Sequence, residues 1–317
     1  MNNIRRLIEG CIPNRLKDNI LNLGDEVLQS VNEIRIRANR PIMLVNNDTD
    51  FFITKDGKKT ENSQNVLNVL PQELLEILNL ICNNSLYAYM DTLRNGFVTL
   101  KGGHRVGITG KVIIKDNKIS NIKEISSVNI RIARQIKGLA NTVIKHIVRN
   151  EKDVYNTLII SPPGCGKTTL LRDILRVISN GCKELKGLRV SVIDERSEIA
   201  SLFHGIPQND VGIRSDVLDG ANKGDGIMLA LRSMSPKVIA TDEIGTYGDY
   251  EALQEAVNCG VRIITTAHGF DIENIEKRNI TKNILRENIF ERFIILGKDN
   301  KVGHLKDILD EKRVSVL

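Results

Sequence analysis

A chain of 317 residues exceeds one typical domain, so two are expected, and 41% hydrophobic residues are enough for ordinary cores. The 45 Lys and Arg against 39 Asp and Glu leave a net charge of +6, too modest to single out nucleic acid or an acidic lipid surface as partner. Five cysteines without C-x-x-C spacing argue against a zinc site or a disulfide framework, and neither a signal peptide nor a membrane-spanning apolar run is visible; a soluble, cytoplasmic protein with at most peripheral membrane contact is expected.

Residues 1 to about 30 carry apolar positions at helical spacing (Ile4, Leu7, Ile8, Cys11, then Leu16, Ile20, Leu21). Short strands are predicted at Glu33–Arg37, Ile42–Val45 and Phe51–Thr54, closed by the turn dipeptide Asp56-Gly57. The polar stretch Asp56–Asn65 is the expected mobile loop. Helices are predicted at Pro71–Cys82 and Ser85–Leu93, then strands at Phe97–Leu100, Arg105–Ile108, Lys111–Lys115 and Val128–Ala133. Strands and helices in separate runs define an α+β domain, residues 1–138.

From about residue 140 strands and helices alternate. Strands are predicted at Thr157–Ile160, Arg189–Asp194, Val238–Asp242, Arg262–Thr266 and Arg292–Leu296; helices at Lys167–Ile178, Gly226–Met234 and Tyr250–Asn258. Such alternation predicts an α/β domain over residues 139–317, with a mainly parallel sheet covered on both faces.

The strand before Ser161 runs into Pro162-Pro163-Gly164-Cys165-Gly166-Lys167-Thr168-Thr169, the layout of a phosphate-binding P-loop. Gly164 and Gly166 free the backbone to turn its N–H groups around a phosphate, and the following helix adds its positive end. Pro163, Gly164, Cys165, Gly166, Lys167, Thr168 and Thr169 are therefore the candidate ATP-binding set. Lys167 would reach the β- and γ-phosphates and Thr168 would ligate Mg2+. Ser161 stands where the usual pattern has a first glycine.

Three further strand ends carry chemistry. Asp242 and Glu243 close an apolar strand, Asp242 as a candidate Mg2+ ligand through water and Glu243 as the group that orients or deprotonates the attacking water. Asp194 and Glu195 close another; were that strand beside the P-loop strand, both acids would lie at the ligand-binding edge, and the alternative is a helix cap with surface charges. His268 follows Thr265 and Thr266, either as a γ-phosphate sensor or as a structural histidine.

The order of these motifs, with Leu231-Arg232-Ser233-Met234-Ser235-Pro236 before the acidic strand and Thr-Thr-Ala-His after it, resembles the secretion ATPases of type II and type IV systems and the pilus motors. Glu33-Ile34-Arg35-Ile36-Arg37, Gly102-Gly103-His104-Arg105-Val106-Gly107, Asn129–Arg134 and Ile193–Glu198 look like the stage III sporulation protein AA family, over residues of about 33 to 270. That resemblance implies a RecA-like ATPase domain behind an N-terminal domain, a homo-oligomeric, hexameric ring, and partners among the integral membrane proteins of a secretion-like complex. It also implies a mother-cell ATPase energising a channel to the forespore, with membrane contact only through partners and no nucleic acid.

Asp242 departs from the Gly-Glu usual in those motors, which leaves open how Asp242, Glu243, Asp194 and Glu195 divide the work. Ring ATPases complete their sites with arginines, and Arg105, Arg131, Arg134, Arg214 and Arg232 are the candidates, Arg232 best placed by motif; each could equally be a solvated surface cation. A nucleic-acid-dependent RecA-type ATPase and a nucleotide-binding scaffold remain as alternatives.

Overall fold

The computed structural model of the protein describes residues 3–46, 49–82, 97–115, 117–277, 279–297 and 302–317. It divides into two compact units, Met1–Arg134 and Gln135–Leu317, so the division falls before Gln135 where the sequence reading sets it at Gly138.

In the first unit the helices Asn3–Cys11, Asn14–Leu21 and Asp25–Ser30 lead into an antiparallel sheet. Its strands are β1 (Glu33–Arg37), β2 (Met43–Asn46), β3 (Thr49–Ile53), β4 (Lys59–Thr60), β5 (Phe97–Thr99), β6 (Arg105–Lys115) and β7 (Lys118–Arg131), in the order β4-β3-β2-β1-β7-β6-β5. The period of two is plain in β1: Ile34 and Ile36 are buried while Arg35 between them is exposed. They join Ile8, Leu16 and Ile20 of the first helices and Leu74 and Ile77 of the helix Pro71–Ile81 in one core.

Two departures from the predicted strands have one cause. The segments Arg105–Ile108 and Lys111–Lys115 form a single strand whose register shifts between Thr109 and Lys111. Gly110 sits at that shift, where an added Cβ would lie 2.5 Å from the Lys123 carbonyl oxygen. Its partner β7 accordingly starts at Lys118 rather than Val128, because Lys118–Lys123 pairs with the far half of β6. The helix predicted at Ser85–Leu93 lies outside the described residues.

The second unit opens with a 3-10 turn, Leu139–Thr142, a short helix, Ile144–Ile147, and the hairpin of β8 (Val148–Asn150) and β9 (Asp153–Val154). Its main strands are β10 (Thr157–Ser161), β11 (Val190–Asp194), β14 (Ser215–Asp219), β15 (Val238–Thr241), β16 (Arg262–His268), β17 (Arg292–Leu296) and β18 (Leu305–Asp310); β12 (Leu202–Phe203) and β13 (Ile206–Pro207) form a separate hairpin. The sheet order is β14-β11-β15-β16-β10-β17-β18, parallel throughout except for β18 against β17.

Every residue of β10, β11 and β15 is buried, as a sheet covered on both faces requires. Alternate residues of β10 feed the two layers. Ile159 packs with Leu171, Ile174 and Ile178 of the helix Lys167–Asn180. Leu158 and Ile160 face Ile227 and Ala230 of the helix Lys223–Ser233 and Leu253 and Ala256 of the helix Tyr247–Asn258. Parallel strands bring Ser161, Asp194, Thr241 and His268 to one edge, the carboxyl edge, where ligands bind in open α/β sheets. The strand of Asp194 is not beside β10, however: β15 and β16 intervene, a separation of about 14 Å.

Candidate functional site

At the end of β10 the chain enters a loop whose two glycines are left-handed, Gly164 at φ 78° and Gly166 at φ 90°. Gly166 also has no room for a side chain, since a Cβ would lie 2.8 Å from the Gly303 nitrogen and closer still to Val302. The Gly303 N–H donates to the Cys165 carbonyl at 2.9 Å and pins the loop. Pro163 and Gly164 are exposed, Cys165 is buried, and Lys167, Thr168 and Thr169 are half-buried on the first turn of the helix. Ser161 is fully buried with its hydroxyl donating to the Pro162 carbonyl at 2.9 Å, so it serves the loop locally.

Pairing of β10 with β16 sets Ser161 opposite His268, beside the loop. Lys167 Nζ lies 3.1 Å from His268 Nε2, and the same nitrogen lies 3.2 Å from Glu243 Oε2. One imidazole nitrogen cannot serve both neighbours alike. Unprotonated it accepts from Lys167; protonated it donates to Glu243. His268 Nδ1 is buried and without a hydrogen-bond partner among the described residues.

A second cluster adjoins it. Lys223, the first residue of its helix, has only 7% of its side chain exposed, contacts Glu195 Oε2, and lies 3.4 Å from Asp242 Oδ1. Burial works against the ammonium, but the Glu195 hydrogen bond and the fields of Asp242 and Glu195 outweigh it and raise the Lys223 pKa. Burial also raises the Asp242 pKa; Lys223 opposes that rise, while Asp194 and Glu198 add to it. Asp242 Oδ1 is buried with no aligned hydrogen bond, and the Thr265 hydroxyl anchors the Asp242 carbonyl at 3.0 Å. A buried carboxylate oxygen with no aligned hydrogen bond, at the same sheet edge as the loop that leads to Thr168, fits the ligand set of a Mg2+–nucleotide.

Lys223 was not among the sequence candidates. A lysine opening a helix reads as a surface cation, and only the approach of β11 to β15 reveals its two carboxylate partners.

Asp194 has a different place. It is fully buried, and its carboxylate accepts the N–H groups of Glu198 (2.7 Å), Ile199 (3.1 Å to either oxygen) and Ala200 (2.8 Å). Arg172 of the helix Lys167–Asn180 closes the same loop from the other side, donating to the carbonyls of Ile199 and Glu198, each at 2.7 Å. Asp194 therefore holds a loop, and its oxygens are engaged by backbone; Glu195 is the member of that pair that reaches Lys223.

Within the second unit, neither Arg214 nor Arg232 lies at this edge. Arg232 is exposed in the last turn of the helix that Lys223 begins, about 14 Å along it, just before the chain enters β15 at its amino end. Arg214 donates to the carbonyls of Ser179 (2.9 Å) and Asn180 (3.3 Å) and finishes the carboxyl end of the helix Lys167–Asn180. In the first unit, Arg105 stacks over Phe97 at 4.7 Å, Arg131 pairs with Glu33 at 3.5 Å, and Arg134 donates to the Val31 carbonyl at 2.6 Å.

Comparison with known proteins matches residues 2–316 to the family Sporulation stage III, protein AA. Stage III sporulation protein AA of Bacillus subtilis (strain 168) is 37% identical over 304 residues, which covers 96% of this chain and 94% of that protein. The ATPase DotB of Yersinia pseudotuberculosis superposes with a TM-score of 0.58 at 14% identity, over 95% of this chain and 81% of DotB. The pilus retraction motor PilT, solved with bound ADP, gives 0.55 at 16% identity, over 88% and 76%. At such identities the likeness establishes the fold, the mixed α/β sheet of secretion ATPases.

Proposed function

The chain belongs to the family of Sporulation stage III, protein AA, and from that membership we propose a Mg2+-dependent ATPase that drives a secretion-like complex between mother cell and forespore. The observation that carries this reading is the line Lys167–His268–Glu243 at the mouth of the glycine loop, where phosphate binding, sensing and water activation meet. DotB and PilT, which share the fold, are an ATPase and a pilus motor.

The loop N–H groups, the helix amino end and Lys167 hold the phosphates of ATP. Thr168 would ligate Mg2+ directly and Asp242 through water. Held by those residues, the ion would supply neutralisation of phosphate charge. Glu243 orients a water and takes its proton as the water oxygen bonds to the γ-phosphorus. The bond to the bridging oxygen breaks, and ADP leaves with the electron pair.

Engagement of Lys167 by phosphate frees His268 Nε2 from the lysine and leaves it to Glu243, which couples the γ-phosphate to the base. Lys223 positions Asp242 and Glu195, and Asp194 positions the loop at 198–200. An arginine completes the site from a neighbouring subunit of a homo-hexameric ring, which accords with Arg232 lying away from the site of its own chain. The complex is docked by integral membrane proteins and works without nucleic acid. Among the described residues no helix is long and apolar enough to cross a membrane.

The test is Mg2+-dependent ATP turnover and nucleotide binding in the wild type and in Lys167→Ala, with a thermal melt of each. Loss of turnover and weakened binding with an unchanged melt are expected. Normal turnover in Lys167→Ala would overturn the site assignment.

A further inference from the structure

Beyond Gly110, β6 and β7 pair only with each other among the described residues, as a two-stranded ribbon closed by a turn at Asn117 (φ 58°). The pairing is Lys111 with Lys123, Val112 with Ile122, Ile113 with Asn121, Ile114 with Ile119 and Lys115 with Lys118. Residues directly opposite share a face, and faces alternate along each strand. Val112, Ile114, Ile119 and Ile122 therefore line one side, with a register shift after Ile113 that keeps Ile114 and Ile119 together.

That side is not core. Val112 is 47% exposed, Ile114 69% and Ile119 49%. The other side sets Lys111 opposite Lys123, an arrangement that repels across the ladder, and carries the exposed Lys115 as well. Lys111 lies 3.3 Å from Glu124, between side chains that are both largely in water and so interact weakly.

An exposed apolar row backed by exposed lysines calls for a partner that is apolar at one depth and anionic at the next. Nucleic acid would leave the isoleucines in water. A bilayer interface supplies both layers within the span of a ribbon and its lysine side chains. We propose that the β6–β7 ribbon docks directly on an anionic phospholipid surface, with Val112, Ile114, Ile119 and Ile122 toward the acyl chains and Lys111, Lys115 and Lys123 among the phosphates. This contact is independent of ATP hydrolysis.

The experiment is co-sedimentation of the full chain with vesicles of phosphatidylcholine, alone or mixed with phosphatidylglycerol, at low and high salt. Binding to the mixed vesicles only, and weaker in high salt, is expected. Lys115→Gln or Lys123→Gln should each weaken it about fivefold. The pair Ile114→Ser and Ile119→Ser should weaken it about tenfold or more while leaving the melting temperature in place, since neither side chain is in the core. No binding by the wild type, equal binding to pure phosphatidylcholine, or full binding by the isoleucine variant would overturn the proposal, the first in favour of a protein partner.

Discussion

Lys167 Nζ and His268 Nε2 stand 3.1 Å apart because the parallel register of β10 and β16 sets Ser161 opposite His268, and Lys167 opens the helix just beyond. Glu243 meets the same nitrogen at 3.2 Å, so the imidazole is shared between Lys167 and Glu243, the proposed phosphate-binding lysine and base. Replacing His268 with Asn breaks the link while sparing the glycine loop. Steady-state kinetics of His268→Asn should show kcat lower by about tenfold to a hundredfold, with ATP affinity changed only a few-fold. An unchanged kcat would make His268 structural.

Asp242 carries a cost at neutral pH. Its folded pKa lies above its unfolded one, chiefly through burial, so the folded state binds the extra proton and the contribution to stability is present in acid and lost as pH rises through the folded pKa. Asp242→Asn mimics the protonated form. Its melting temperature should exceed that of the wild type near neutral pH, with the gain shrinking on acidification, while Mg2+-dependent turnover falls. A lower melting temperature at neutral pH would show that the Lys223 pairing outweighs the burial.

Asp194 provides the contrasting case. Asp194→Asn keeps one acceptor but replaces the other with an amide NH2 facing backbone N–H groups, at a cost of about 2 kcal/mol or more. Urea unfolding should show that loss, and turnover should fall with it. Turnover lost at full stability would return Asp194 to the catalytic group.

Sequence patterns reveal strands with an unbroken apolar run, such as Leu158–Ile160, and the residues that follow or close them, Lys167, Asp242, Glu243 and His268. They fail where the signal is tertiary. Ser215–Asp219 lies at the sheet edge, and its polar residues Ser215, Asp216 and Asp219 leave only Val217-Leu218 as an apolar signal, too short to mark a strand. Nothing near Asp194 announces that the chain turns back through Ser197 at φ 53° to offer it three amides. Lys223 acquires its meaning from carboxylates 28 and 19 residues distant on different strands. The lone arginines read alike in sequence, and only packing separates Arg214, a helix end, from Arg232, an exposed cation.

The first unit has an acid-sensitive point in His104. It is fully buried, its Nδ1 accepts the Ala133 N–H at 3.1 Å, and burial lowers its pKa to about 4. Below the unfolded value the unfolded chain takes a proton that the folded chain refuses, so stability is lost as pH falls from about 6.5 toward 4. The loss is on the order of 3 kcal/mol. Urea midpoints compared near neutral pH and near pH 4.5 should drop more for the wild type than for His104→Gln. Equal drops would contradict this.

Glu243 is the proposed group that activates water, and every other role at the site depends on it. The most direct measurement is ATP turnover by the wild type and Glu243→Gln, with nucleotide binding recorded for both. Mg2+-dependent hydrolysis by the wild type, about a hundredfold slower in the variant at equal ATP affinity, is the predicted result. Equal and negligible turnover in both, despite equal binding, would contradict it and make the protein a nucleotide-binding scaffold.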